Sequence, residues 1–295
     1  LFTHHPGEFS QTHNQSILQH IEITTICATR KMLEYPSSIG FETTGSMEDG
    51  LNRIFDTDFL ILDVETENPP IPIPEPGEKP KKQSNLTYPW LGGKLAWIGL
   101  RSHQESHTWN VYLRHNRHNS ILMTALKQRF AEYKGTIVGH NVKGDLIFLG
   151  YYGIRAPHAR LWDTMIWLKS QPVWSTGGNG LKWQAKKHFE APAYEAEVHS
   201  LWDQKVPASQ IGPEKMRNYL AGDLLYTDLL VQSQMKYPKT FAFRLASDYL
   251  PVVTDMELNG FHVNTQVIEE EIDQNTARQL ELRMTIDEMA KTLGF

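Results

Sequence analysis

The chain has 295 residues, 40% of them apolar, and a formal net charge of −5, enough for one large domain or two smaller ones with a real core. No run of about 18 apolar residues occurs, so no membrane-spanning helix is expected. The single cysteine, Cys27, excludes an internal disulfide and a multi-cysteine zinc site and fits a reducing, intracellular setting; the negative balance gives no global argument for nucleic acid, so a nucleic-acid enzyme of this composition must rely on local basic patches and metal ions.

The chain begins at Leu1 rather than Met and stops at Phe295 inside a helical pattern, so it reads as a fragment of something longer. Residues 1–50 are expected to be the tail of a preceding domain or an N-terminal extension. His4, His5, His13 and His20 lack the spacing of a metal site and read as surface or packing histidines. Met47–Phe55 reads as a short lead-in helix. Phe59-Leu60-Ile61-Leu62-Asp63-Val64-Glu65-Thr66 then leads four apolar residues straight into two acids one residue apart. A short continuous apolar run reads as a buried strand, and alternation along a strand points Asp63 and Glu65 to the same side. Two such acids repel each other and lose hydration. A divalent cation held by both removes the problem, because hard cations take carboxylate oxygens.

Glu67 to Tyr88, with its run of prolines, cannot enter a sheet and reads as an exposed insertion. Lys94–Arg101 and Thr108–Leu113 read as strands, antiparallel neighbours rich in β-formers. Apolar spacing turns helical from Asn119 to Tyr133, and Gly135–Gly139 reads as a buried strand. In the following His140-Asn141-Val142-Lys143-Gly144-Asp145, Asn141 is a favoured helix N-cap, which places Asp145 four residues on, in the first turn and on the same face. Arg160–Trp167 reads as a strand leading into a helix, with Asp163 as its cap. Leu181–Phe189 reads as a short helix whose lysines face solvent or meet phosphate. Pro213 opens a long amphipathic helix on which Tyr219 and Asp223 lie one turn apart on the inward flank, while Asp228, further round, reads as a surface acid. A helix ending at Gly260 and a long charged helix from Thr265 to Leu293 complete the chain.

Together these give Asp63-x-Glu65 on a strand, Asn141-x3-Asp145 at a helix start and Tyr219-x3-Asp223 on a later helix. Carboxylates converging on one sheet edge can hold two metals, the equipment of phosphodiester hydrolysis. Over about Thr57 to Lys236 the set resembles the three motifs of the DEDD exonuclease superfamily, in its tyrosine-containing subgroup. The resemblance implies an α/β, RNase H-like fold: a mixed five-stranded sheet flanked by helices. It implies two divalent cations, Mg2+ or Mn2+, held by Asp63, Glu65, Asp145 and Asp223, with Tyr219 orienting the attacking water. It also implies that Thr66, Asn141 and Lys143 contact the terminal nucleotide of a single-stranded or frayed 3′ end. The insertion at 67–88, directly after the first motif, departs from the compact pattern of that superfamily. Near the N-terminus, a His-Pro turn followed by a helix is faintly similar to the end of a uracil-DNA-glycosylase-like domain.

Asp255-Met256-Glu257-Leu258-Asn259-Gly260-Phe261-His262-Val263-Asn264 resembles the segment that opens the polymerase domain of family A DNA polymerases. The expectation is therefore a 3′–5′ proofreading exonuclease domain over 51–240. Residues 241–295 would start the polymerase domain and enter its thumb, and the rest of the polymerase would lie in the same longer chain. Its partner would be a single-stranded DNA 3′ end, with no membrane involved, in the cytoplasm of a bacterial or phage-infected cell. The alternatives are an RNase D-like RNA exonuclease and a non-catalytic binding module.

Overall fold

The computed structural model describes residues 44–69, 88–103, 108–112, 118–171 and 178–293. Most of the proline-rich insertion and the N-terminal histidines therefore lie outside the described residues, as does the expected N-terminal extension up to residue 43. Helix α1 (Thr44–Phe55) leads into β1 (Phe59–Glu67), followed by a 3-10 turn (Pro89–Leu91), β2 (Lys94–Ser102) and β3 (Thr108–Tyr112). Then come α2 (His118–Glu132), β4 (Thr136–Gly139), α3 (Lys143–Tyr151), β5 (Arg160–Asp163) and α4 (Thr164–Lys169). The remaining helices are α5 (Leu181–Phe189), α6 (Ala196–Asp203), α7 (Pro213–Gln234), α8 (Phe241–Asn259) and α9 (Thr265–Thr292).

The strands form one mixed sheet in the order β3-β2-β1-β4-β5. β1 is antiparallel to β2 and parallel to β4. Its apolar run is continuous because both faces are covered, as in parallel sheets generally. Leu60 and Leu62 pack on one side with Leu126, Phe130 and Phe148 of α2 and α3. Ile61 packs on the other with Leu224 and Val231 of α7 and Phe243 of α8. The helices thus lie on both faces of the sheet, as expected. No helix of the described residues is long and apolar enough to cross a membrane.

α7 departs from the sequence reading in one respect. It is buried on more than one face, so Asp228, expected at the surface, is 1% exposed. Arg101 Nε donates to its Oδ2 at 2.9 Å, and His103 meets its other oxygen. Amphipathic spacing predicts one inward face; α7 has the sheet on one side and α4, α5 and α6 around the others, and the acid is matched by a cation at the end of β2.

By contact pattern the described residues up to Asp255 form one compact unit and those from Met256 a second. The second holds the end of α8, Gly260 in left-handed conformation (φ 61°), and α9, whose N-cap Asn264 accepts the Val267 N–H.

Candidate functional site

β1 outruns its parallel neighbour. Its register with β4 covers Phe59–Ile61, whereas β2 accompanies it through Glu67. Beyond Ile61 the flank that β4 leaves is taken by the start of α3, where Asp145 Oδ1 accepts the Val64 N–H at 2.9 Å. Asp63 and Glu65 follow Ile61 at two-residue intervals and share its face, the one covered by α7. There Tyr219 and Asp223 lie one turn apart, both buried. Asp63, Glu65 and Asp223 each present a carboxylate oxygen, and these oxygens all lie within 4.8 Å of one another. The crevice sits at the carboxyl ends of β1 and β4, where open α/β sheets place their ligands.

The electrostatics are unfavourable as they stand. Burial, then the charges of Asp223, Glu65 and Asp145, push Asp63 well above the usual carboxylate range. Burial and Asp223 do the same to Glu65. Asp145 is pushed up to about 7, by burial first, with the Val64 N–H pulling partly back. Burial, followed by the charges of Glu65, Asp223 and Asp63, raises the Tyr219 hydroxyl and keeps it neutral. Asp63 Oδ2 is buried with no hydrogen-bond partner. An all-oxygen donor set with one orphaned oxygen fits a hard divalent cation.

A pH dependence follows. Unfolded, such acids titrate near pH 4; folded, Asp145 keeps its proton up to about 7. Between these values the folded protein holds protons that the unfolded chain has lost. Metal-free protein is therefore expected to lose stability as pH rises from about 4 to about 7, and Mn2+ to restore it at the upper end. Thermal melts in chelator across that range check this; a melting temperature that climbs with pH would contradict it.

The remaining expected residues fall around this centre. Thr66 is half-buried and follows a register shift between Glu65 and Thr66, the kind of bulge that re-aims side chains beside sites. Lys143 opens α3. Asn141 is exposed and is not the helix cap: it adopts φ 64°, α3 starts two residues later, and Val142 holds the cap position without a side-chain bond. Asparagine tolerates the left-handed region better than most residues, and Asp163 fixes the turn from outside. Asp163 Oδ1 accepts the Asn141, Met165 and Ile166 N–H groups, and its Oδ2 accepts that of Val142. Asp163 thus caps α4, as expected, and also holds the α3 entrance. Asn141 and Asp145 accordingly do not share a helix face.

Two residues were not anticipated at the site. Lys182 of α5, expected among lysines facing solvent or phosphate, turns inward. Its ammonium pairs with Asp223 and lies 4.3 Å from the Tyr219 ring centroid and 5.0 Å from that of Tyr194. The Tyr194 hydroxyl donates to Asp223 Oδ1 at 2.6 Å. His140 bridges the Thr164 hydroxyl and the Asn179 carbonyl, each at 2.8 Å, tying the loop before α5 to the end of β4.

The available signal for Tyr194 was Gly222, a glycine inside a helix next to an acid. A Cβ there would lie 2.3 Å from Tyr194 Cδ2. Gly222→Ala is expected to displace the ring, break its bond to Asp223 and destabilise the protein by about 1–3 kcal/mol. A chemical-denaturation midpoint equal to that of the unaltered protein would show that the ring is not held there.

No protein-family model matches the chain, and no curated protein matches its sequence. Solved structures do. Trypanosoma brucei RNase D superposes with a TM-score of 0.54 at 11% identity, over 75% of this chain and 73% of that one. The same enzyme in its GMP complex gives 0.53 at 13% identity, over 76% of this chain and 65% of that one, just under two thirds of its length. A structure described as the apo form of a nuclease gives 0.49 at 16% identity, covering 72% of this chain and 89% of that one. At these identities the RNase D superpositions establish likeness of fold: a mixed sheet flanked by helices, of the RNase D kind.

Proposed function

We propose that the chain is a metal-dependent 3′–5′ exonuclease of the DEDD type, acting on single-stranded 3′ ends. The observation that carries this reading is the convergence of Asp63, Glu65 and Asp223 within 4.8 Å at the end of β1, with Asp145 held beside them by the Val64 amide. Divalent cations such as Mg2+ or Mn2+, held by Asp63, Glu65, Asp145 and Asp223, neutralise a phosphodiester and acidify water when bound. The chain's own groups do the positioning. Tyr219, neutral and one turn from Asp223, offers its hydroxyl to orient the attacking water. Thr66, Asn141 and Lys143 flank the crevice as contacts for the terminal nucleotide, and Tyr194 and Lys182 hold Asp223 in place.

The fold likeness to RNase D favours an RNA 3′ end as substrate, in preference to the proofreading role expected from the sequence. The segment Asp255–Asn264 is the one observation that favours proofreading of DNA within a family A polymerase. Digestion of matched 3′-ended RNA and DNA strands, 5′-labelled, decides between them. A ladder shortening from the 3′ end only in the presence of Mg2+ or Mn2+ is expected, with RNA degraded at least as fast as DNA. A clear DNA preference moves the assignment to proofreading, and cleavage that proceeds in chelator removes the metal site from the mechanism.

A further inference from the structure

The 3-10 turn before β2 carries two rings that the site above does not use. Tyr88 and Trp90 lie face to face, centroids 4.8 Å apart and planes 18° apart, and Trp90 remains 44% exposed. A lone exposed indole is ordinary; this one is held. The Leu91 and Gly93 N–H groups donate to the Tyr88 carbonyl and the Gly92 N–H to that of Pro89, itself buried. Gly92 takes φ 87°, and a Cβ at that position would meet the ring of Pro69, just past the end of β1, at 3.4 Å. The turn also packs against α3, the helix that delivers Asp145.

The turn leads directly into β2, the strand that pairs with β1 along its carboxylate end. Lys94, exposed, opens β2 opposite Glu67, two residues beyond Glu65 on the same strand. From strand rise and spacing, the rings lie on the order of 15 Å from the carboxylates, a few nucleotides of extended strand. A preset pair of parallel rings with an exposed outer member matches what nucleobases stack on without sequence preference, and an ammonium beside it suits a phosphate backbone.

Building on the exonuclease reading, we propose that Tyr88 and Trp90 form a base-stacking platform for the single strand upstream of its 3′ end, with Lys94 at its backbone. Fluorescence polarisation of labelled oligothymidylate and oligouridylate tests this, in Ca2+ so that binding is read without cleavage. Trp90→Ala is expected to weaken binding of both about tenfold, and Trp90→Phe to restore most of it. An otherwise identical strand of abasic sites should bind the unaltered protein about as weakly as oligothymidylate binds Trp90→Ala, and should not distinguish the two proteins. Equal binding of bases and abasic sites by the unaltered protein, or Phe no better than Ala, overturns the platform; so does undiminished binding by Trp90→Ala, as expected if a protein partner covers the rings. Trp90-dependent binding by a protein that digests no 3′ end keeps the platform and sinks the exonuclease reading.

Discussion

Asp63→Ala is expected to abolish 3′-end digestion, a fall of about a thousandfold or more, while making the metal-free protein more stable. The two effects share one cause. Asp63 lies at the middle of the acidic cluster, with one oxygen unpartnered and its carboxyl pushed up by burial and by three neighbouring acids. Without metal this group costs folding energy near neutral pH, because it is either charged among like charges or buried and incompletely bonded. Alanine removes that cost. It also removes one of the three carboxylates that would hold a cation, and with it the several kcal/mol of transition-state stabilisation a bound cation would supply; about 4 kcal/mol corresponds to a thousandfold in rate. A second readout separates loss of site from loss of fold. Saturating Mn2+ at about a hundredfold over its Kd should stabilise the unaltered protein by about 2.7 kcal/mol, a rise of roughly 5–10 °C in melting temperature, and should leave Asp63→Ala nearly unmoved. Retained digestion, or a variant less stable than its parent in chelator at about pH 8, would contradict the assignment.

The sequence carried this centre far because its information is local. A continuous apolar run ending in two acids fixes strand, burial and side at once, since a one-residue slip would turn Asp63 and Glu65 to the other face. The spacing of Tyr219 and Asp223 likewise needs only the helical repeat, and Asp163 revealed itself by the residues around it. What escaped depends on packing between distant elements. Asp228 is buried because α7 is enclosed on several sides and because Arg101, 127 residues earlier, supplies its partner. Lys182 and Tyr194 reach Asp223 only through the packing of α5 and the following loop on α7, which no periodicity encodes. Asn141 failed as a cap for a different reason: Asp163, from the neighbouring strand, holds the Asn141 and Val142 N–H groups in a turn with Asn141 in left-handed conformation, and the helix starts only at Lys143. The functional context was the least legible part. A short segment after Asp255 pointed to a polymerase, whereas the fold of the preceding residues is like that of RNase D.

Lys182→Met is expected to tighten Mn2+ binding about 10- to 100-fold and to weaken the metal-free fold. Lys182 is a cation already inside the cluster: it pairs with Asp223 and draws down the carboxyls of both Asp63 and Glu65. It thus plays part of the metal's role before any metal arrives, and the tyrosine rings of Tyr194 and Tyr219 hold it there through their faces. A divalent ion taking the same Asp223 oxygen must break that pair and then tolerate an ammonium nearby. Two unit charges at about 4 Å interact by about 4 kcal/mol at the effective dielectric of a protein surface; solvent screening of a side chain one-quarter exposed brings the expected gain down to the stated range. Methionine keeps the length and apolar contact of the lysine stem while removing the charge, so isothermal titration of Mn2+ into the two proteins isolates the electrostatic part. Weaker or unaltered Mn2+ affinity in the variant would mean that the ammonium and the ion occupy the cluster together. Lys182 would then belong with the substrate's phosphate and not in the metal's way.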